Sequence, residues 1–166
     1  MYTPRALAAL TDPPAGFSSP NAVAGPVTIR QPVAWGELDR FGHVNHTIFL
    51  RWLENVRIAW FERVGLAASI ADNRLGPILA RVECDYRAPV NFPDVIWANV
   101  RCTKLGRSSL SLQSEVWSEQ RRAIVAEGAV IVVVIDFSTQ RSTPIPEAVR
   151  AAIQALDAPP ERVVNP

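Results

Sequence analysis

The sequence is short of the side chains on which many binding chemistries depend: two cysteines, two histidines and one methionine in 166 residues. Cys84 and Cys102 lie in separate segments without the close spacing of a zinc or redox motif. Neither a disulfide framework nor a structural metal is therefore expected, and a reducing cytoplasm fits best. His43 and His46 are three positions apart, yet zinc needs further ligands, and Cys84 and Cys102 lie far off in the sequence. Charge of one sign is also missing. With 17 basic and 16 acidic residues the formal charge is +1, which leaves no broad basic field for nucleic acid or an anionic membrane. No apolar run approaches the length that spans a bilayer, and the N-terminal string ALAAL is too brief for a signal-peptide core. The absence of a G-x-S-x-G elbow disfavours a serine hydrolase.

What is present suits one globular domain. The chain is 48% apolar and 20% charged, a balance and a length that allow a core of its own. Residues 1–26 hold five of the 14 prolines and show no sustained periodicity, so they read as a flexible N-terminal arm. The domain is expected over 27–157, followed by a C-terminal tail over 158–166.

Within it, VTIRQPVAW from Val27 reads as a first strand, with Pro32 pointing to an edge or a bulge. From His46 to Val64 the residues Ile48, Phe49, Trp52, Leu53, Val56, Ala59, Trp60 and Val64 fall in an arc of roughly 160° at about 100° per residue. One long amphipathic helix is predicted, with Asn45 as N-cap and Gly65 ending it in a left-handed conformation. After a connection through Asn73 and Gly76, four segments read as consecutive antiparallel strands: 78–86, 95–105, 108–118 and 122–137. The third alternates Leu110, Leu112 and Val116 with Ser111, Gln113 and Glu115, as a sheet with one wet face requires. The fourth contains AVIVVVI, apolar on both parities, and is expected deep in the sheet. Pro146, Glu147 and the spacing of Val149, Ile153 and Leu156 predict a short C-terminal helix. One long helix followed by a run of strands is an α+β arrangement, the helix packing on one face of an antiparallel sheet.

The order strand, Asp-x-x-Gly-x-Val-x-x, long helix and four strands resembles the 4-hydroxybenzoyl-CoA thioesterase-like group of hotdog-fold acyl-CoA thioesterases. The motif here is Asp39-Arg40-Phe41-Gly42-His43-Val44-Asn45-His46, followed by IFLRWLENVR with Glu54 and Arg57; the tail DFSTQRSTPIPEAVRAAI is also similar. The resemblance covers about 27–156. It implies a hotdog fold, an antiparallel sheet wrapped around one long central helix, and an acyl-CoA substrate with no cofactor beyond the coenzyme A of that substrate. It also implies assembly as a homodimer or homotetramer with sites at the subunit boundary. Asp39 would be the catalytic carboxylate, and the backbone N–H at His46 would polarise the thioester carbonyl.

The residues can support this chemistry. A thioester expels a thiolate whose conjugate acid has a pKa of about 8.5, so a strong general acid is less needed than in ester or amide cleavage. A carboxylate such as Asp39 can attack the carbonyl or accept a proton from water. N–H groups at a helix start have no intrahelical partner and carry the positive end of the dipole, so the Asn45–Thr47 backbone can form an oxyanion hole. Asp39 can equally be a turn residue bonding its own backbone. Asn45 reads first as a cap. His46 can orient water or substrate, or simply face solvent, and Glu54 on the helix is a second-choice carboxylate. The turn Lys104-Leu105-Gly106-Arg107-Ser108-Ser109 concentrates donors for the phosphates of coenzyme A, although an exposed hairpin explains the same residues. A non-catalytic acyl-thioester-binding protein and a hotdog hydratase or dehydratase are the alternative functions.

Overall fold

The computed structural model describes residues 25–67 and 74–157. The arm over 1–24, Asn73 in the connection and the tail over 158–166 lie outside the described residues.

Strand β1 (Val27–Pro32) leads through a short 3-10 turn (Trp35–Glu37) into helix α1 (His46–Arg63). Strands β2 (Leu75–Tyr86), β3 (Val95–Leu105), β4 (Ser109–Ser118) and β5 (Ala123–Asp136) follow. A two-residue strand β6 (Arg141–Ser142) and helix α2 (Glu147–Leu156) close the domain. The sheet is antiparallel in the order β1-β3-β4-β5-β2, with β6 paired to β5. Since β1 and β2 occupy opposite edges, α1 crosses the whole sheet between them. This is the α+β hotdog arrangement, and Pro32 sits on an edge strand, where its missing N–H costs no ladder bond.

Helix α1 forms where its apolar stripe demands. Trp52, Val56 and Trp60 are fully buried, with Ile48, Phe49 and Leu53 beside them against Val100, Leu112, Val116, Val130 and Val132 of the sheet. The Asn45 side chain caps the helix by accepting from the Thr47 N–H, and Gly65 has φ of 75° just beyond its end. Leu53 reaches the sheet because residue 128 is glycine: a Cβ there would lie 2.6 Å from Leu53 Cδ1. Gly128→Ala is therefore expected to destabilise the fold by about 1–3 kcal/mol through overpacking. A lowered midpoint in urea unfolding checks this, and an unchanged midpoint would mean that the helix shifts freely over the sheet.

Two expectations need correction. Gly76 lies inside β2 rather than in the preceding connection, because the Phe137 ring covers the place its side chain would fill and the strand extends back to Leu75. The AVIVVVI run is not buried on both faces. Val130, Val132 and Val134 turn inward, whereas Ile131 is 37% exposed and Val133 and Ile135 are half-buried. No second layer within this chain covers that outer face among the described residues. Cys102 is held structurally: its N–H donates to Asp157 Oδ1 at 3.1 Å, and burial, then Asp157, pushes its thiol up to about 11.

Candidate active site

The segment between β1 and α1 is a small closed loop. Leu38 pairs with Val44 in an isolated bridge, and the Asp39 N–H donates to the His43 carbonyl at 2.8 Å. The Gly42 N–H returns to the Asp39 carbonyl at 3.0 Å, which makes 39–42 a β-turn with Asp first and Gly last. Gly42 has φ of 75°, a conformation that a side chain would strain. The loop is anchored from outside: the Val44 N–H donates to the Val90 carbonyl at 2.8 Å and Asn91 Nδ2 to the Gly42 carbonyl at 3.0 Å.

Asp39 is thus a turn residue, and its Oδ1 accepts the Phe41 N–H at 2.8 Å. That bond fixes the carboxylate without consuming it. Its other oxygen has no hydrogen-bond partner among the described residues, and the side chain lines a cleft of about 380 Å³. His43, His46, Phe49, Tyr86 and Arg87 line the same cleft. The structure therefore brings Asp39 and the start of α1 together at one opening.

Among the described residues the first turn of the helix leaves the His46 backbone N–H free. Thr47 N–H and its hydroxyl both donate to Asn45 Oδ1, at 3.0 and 2.8 Å, and the Ile48 N–H donates to the Asn45 carbonyl at 2.9 Å. The His46 N–H has no acceptor among the described residues. Asn45 is committed to capping, so the donor left beside Asp39 is the amide of His46.

The remaining candidates lie elsewhere. Glu54 is exposed on α1, pairs with Arg57 at 3.5 Å and does not line the cleft. Arg57 is buried, and that burial, opposed by Glu54, lowers its pKa. Lys104, Arg107, Ser108 and Ser109 form the β3–β4 hairpin, whose carbonyls at Gly106 and Arg107 accept from Arg150. The Arg87 N–H, beside Asp39, bonds Val125 near the far end of β4, so roughly 25 Å of strand separates that hairpin from the cleft within one chain.

Tyr86, Arg87, Ala88 and Pro89 line the cleft but escaped sequence reasoning. Tyr86 and Arg87 come from the end of β2, more than forty positions after Asp39, and only the sheet topology brings them back. Arg87 donates to Glu127 at 2.6 Å and also pairs with Asp85 at 3.3 Å; Glu127 is the chief reason its pKa is raised. It borders a second, polar groove of about 230 Å³ on the outer face of the sheet. Side chains there satisfy one another, with Asn99 on Glu115 and Arg101 on Gln113. The Asp39 cleft, by contrast, presents an unpartnered acceptor and an unpartnered donor. Among the described residues no group of three His, Cys, Asp or Glu side chains is placed to hold a metal ion.

Comparison with known proteins bears on the fold and the family. Residues 33–153 match the model of the thioesterase-like superfamily. The long-chain acyl-CoA thioesterase FadM of Escherichia coli is 22% identical over 119 residues, 72% of this chain and 90% of the relative. A thioesterase of Thermus thermophilus, solved with coenzyme A and zinc, superposes with a TM-score of 0.73 at 33% identity, covering 84% of this chain and 99% of its own. The PA2801 protein of Pseudomonas aeruginosa gives 0.69 at 34% identity, over 76% of this chain and 97% of its own. With its fold, its matched span and these relatives, the chain belongs to the thioesterase-like superfamily and is a thioester hydrolase.

Proposed function

We propose that this protein hydrolyses acyl-CoA thioesters to the free acid and coenzyme A. The observation that carries the reading is the pairing, in one cleft, of the free Asp39 carboxylate oxygen with the unpartnered His46 N–H at the start of α1. In the general-base route Asp39 takes a proton from water while the water oxygen bonds to the thioester carbon. The oxyanion forms against the His46 N–H, the C–S bond breaks, and the thiolate leaves to be protonated. In the nucleophilic route Asp39 itself bonds to the carbon, the C–S bond breaks and the thiolate leaves, and water then cleaves the resulting anhydride to release the acid and restore the Asp39 carboxylate. Coenzyme A enters as part of the substrate, and water is the only other reactant.

The active unit in this reading is at least a dimer. Strand β2 is an edge strand whose residues from Ile78 to Glu83 are all exposed, and open edges invite pairing. Antiparallel pairing of β2 with a second copy about a two-fold axis reverses the partner, turning its β3–β4 hairpin toward this chain's cleft. Lys104, Arg107, Ser108 and Ser109 can then meet the nucleotide phosphates across the subunit boundary, whether the assembly is a dimer or a tetramer. Two free thiols, Cys84 and Cys102, suit the cytoplasm as its compartment. No helix among the described residues is long and apolar enough to cross a membrane.

Thiol release from a panel of CoA thioesters, varied over chain length and aryl groups, tests this function. Turnover of at least one class is the expected result. Tight acyl-CoA binding with no thiol released from any of them would overturn it in favour of a binding protein.

A further inference from the structure

Tyr86 stands in the cleft without a role in the mechanism above. It ends β2 at the open edge of the sheet and is 48% exposed. Its ring meets Phe49 of α1 edge to face, with centroids 5.4 Å apart, and Phe49 in turn touches Trp52 at 5.0 Å. The ring is thus braced by the first two turns of the helix. The hydroxyl points back along the helix start and donates to the His46 carbonyl at 3.4 Å. That bond is long for O–H···O geometry, of the kind that tightens when an active site fills. It is also the one side-chain hydrogen bond from β2 to the first turn of α1 among the described residues.

Residue 46 is held by this carbonyl on one side and by the Asn45 cap on the other. Its own N–H has no acceptor among the described residues; its direction follows the Asn45–His46 peptide, held by the Ile48 N–H on the Asn45 carbonyl at 2.9 Å, and the next peptide, whose carbonyl Tyr86 holds. An oxyanion donor works by being aimed before charge develops, and small losses of aim cost rate rather than affinity.

We propose that Tyr86 is a positioning residue whose hydroxyl, through the His46 carbonyl, holds the His46 N–H on the developing oxyanion. The inference rests on the thioesterase mechanism proposed above. Partial burial, and then the neighbouring Cys84 side chain, raise the tyrosine's pKa. The group accordingly stays a neutral donor across the range in which hydrolases are assayed.

Tyr86→Phe keeps the ring on Phe49 and removes only the hydroxyl. Loss of one such hydrogen bond corresponds to about a five- to tenfold effect. The expected result is a fall of that size in kcat for the best CoA thioester of the panel, with KM within about twofold and an unchanged thermal midpoint. Faster hydrogen exchange at the amides of the first turn of α1 should accompany it. Unchanged kcat together with unchanged exchange would overturn the proposal. A rise in KM at constant kcat would also overturn it, by making Tyr86 a substrate contact, as would a rate loss matched by a lowered midpoint. If the wild type releases no thiol, the hydrolase reading fails on its own, and exchange at the first turn still decides whether Tyr86 holds it.

Discussion

Replacing Trp52 with alanine is expected to lower stability by about 3–5 kcal/mol, the range for deleting a fully buried aromatic. Trp52 is 0% exposed, lies at the middle of the face that α1 turns to the sheet, and stacks tilted on Phe49. Relaxation cannot close the space, because Val56 and Trp60 continue the same buried stripe and are held by the strands opposite. Against a total stability of about 5–15 kcal/mol for an ordinary domain, the loss leaves the variant marginal. Chemical unfolding should show a large drop in midpoint, with activity lost through unfolding rather than through altered chemistry. Trp52→Phe should cost less, since it retains most of the ring and removes an indole N–H that is buried with no partner among the described residues. A Trp52→Ala variant within about 1 kcal/mol of the wild type would contradict the packing described here.

The parts of the fold that could be read directly from the sequence are those fixed by local rules. Asn45 and Gly65 mark the ends of α1 because capping and left-handed backbone depend on the residue at that position. The alternation along β4 reads correctly because one of its faces is core and the other is not. The AVIVVVI run misleads for a related reason. Apolar residues on both parities imply two covering layers, but within this chain only the helix side is covered, so Ile131 remains open. Whatever covers that face is not written in the local string. The site divides in the same way. Asp39 and the helix start lie within eight positions, and turn and capping rules place them. Tyr86 and Arg87 reach the cleft because α1 carries the chain from one sheet edge to the other, a consequence of strand order that no local pattern encodes. The hairpin 104–109 shows the reverse: its residue types fit phosphate, yet its place at the far end of the sheet ties any such role to a second subunit.

The larger functional effect is expected at Asp39. Asparagine at this position keeps an oxygen where Oδ1 now accepts the Phe41 N–H, so the turn and the loop around it survive. What disappears is the second carboxylate oxygen with its charge, the group that attacks the carbonyl or takes the proton from water. Loss of a positioned base of this kind costs about 10² to 10⁴ in rate.

Free coenzyme A released by Asp39→Asn, followed beside the wild type on the best substrate of the panel and with thermal midpoints recorded for both, tests the catalytic role most directly. A rate reduced by at least about 10² at an unchanged midpoint is the result expected of an essential carboxylate. Near-wild-type release from a normally folded Asp39→Asn protein would contradict it and move the reacting group elsewhere in the cleft.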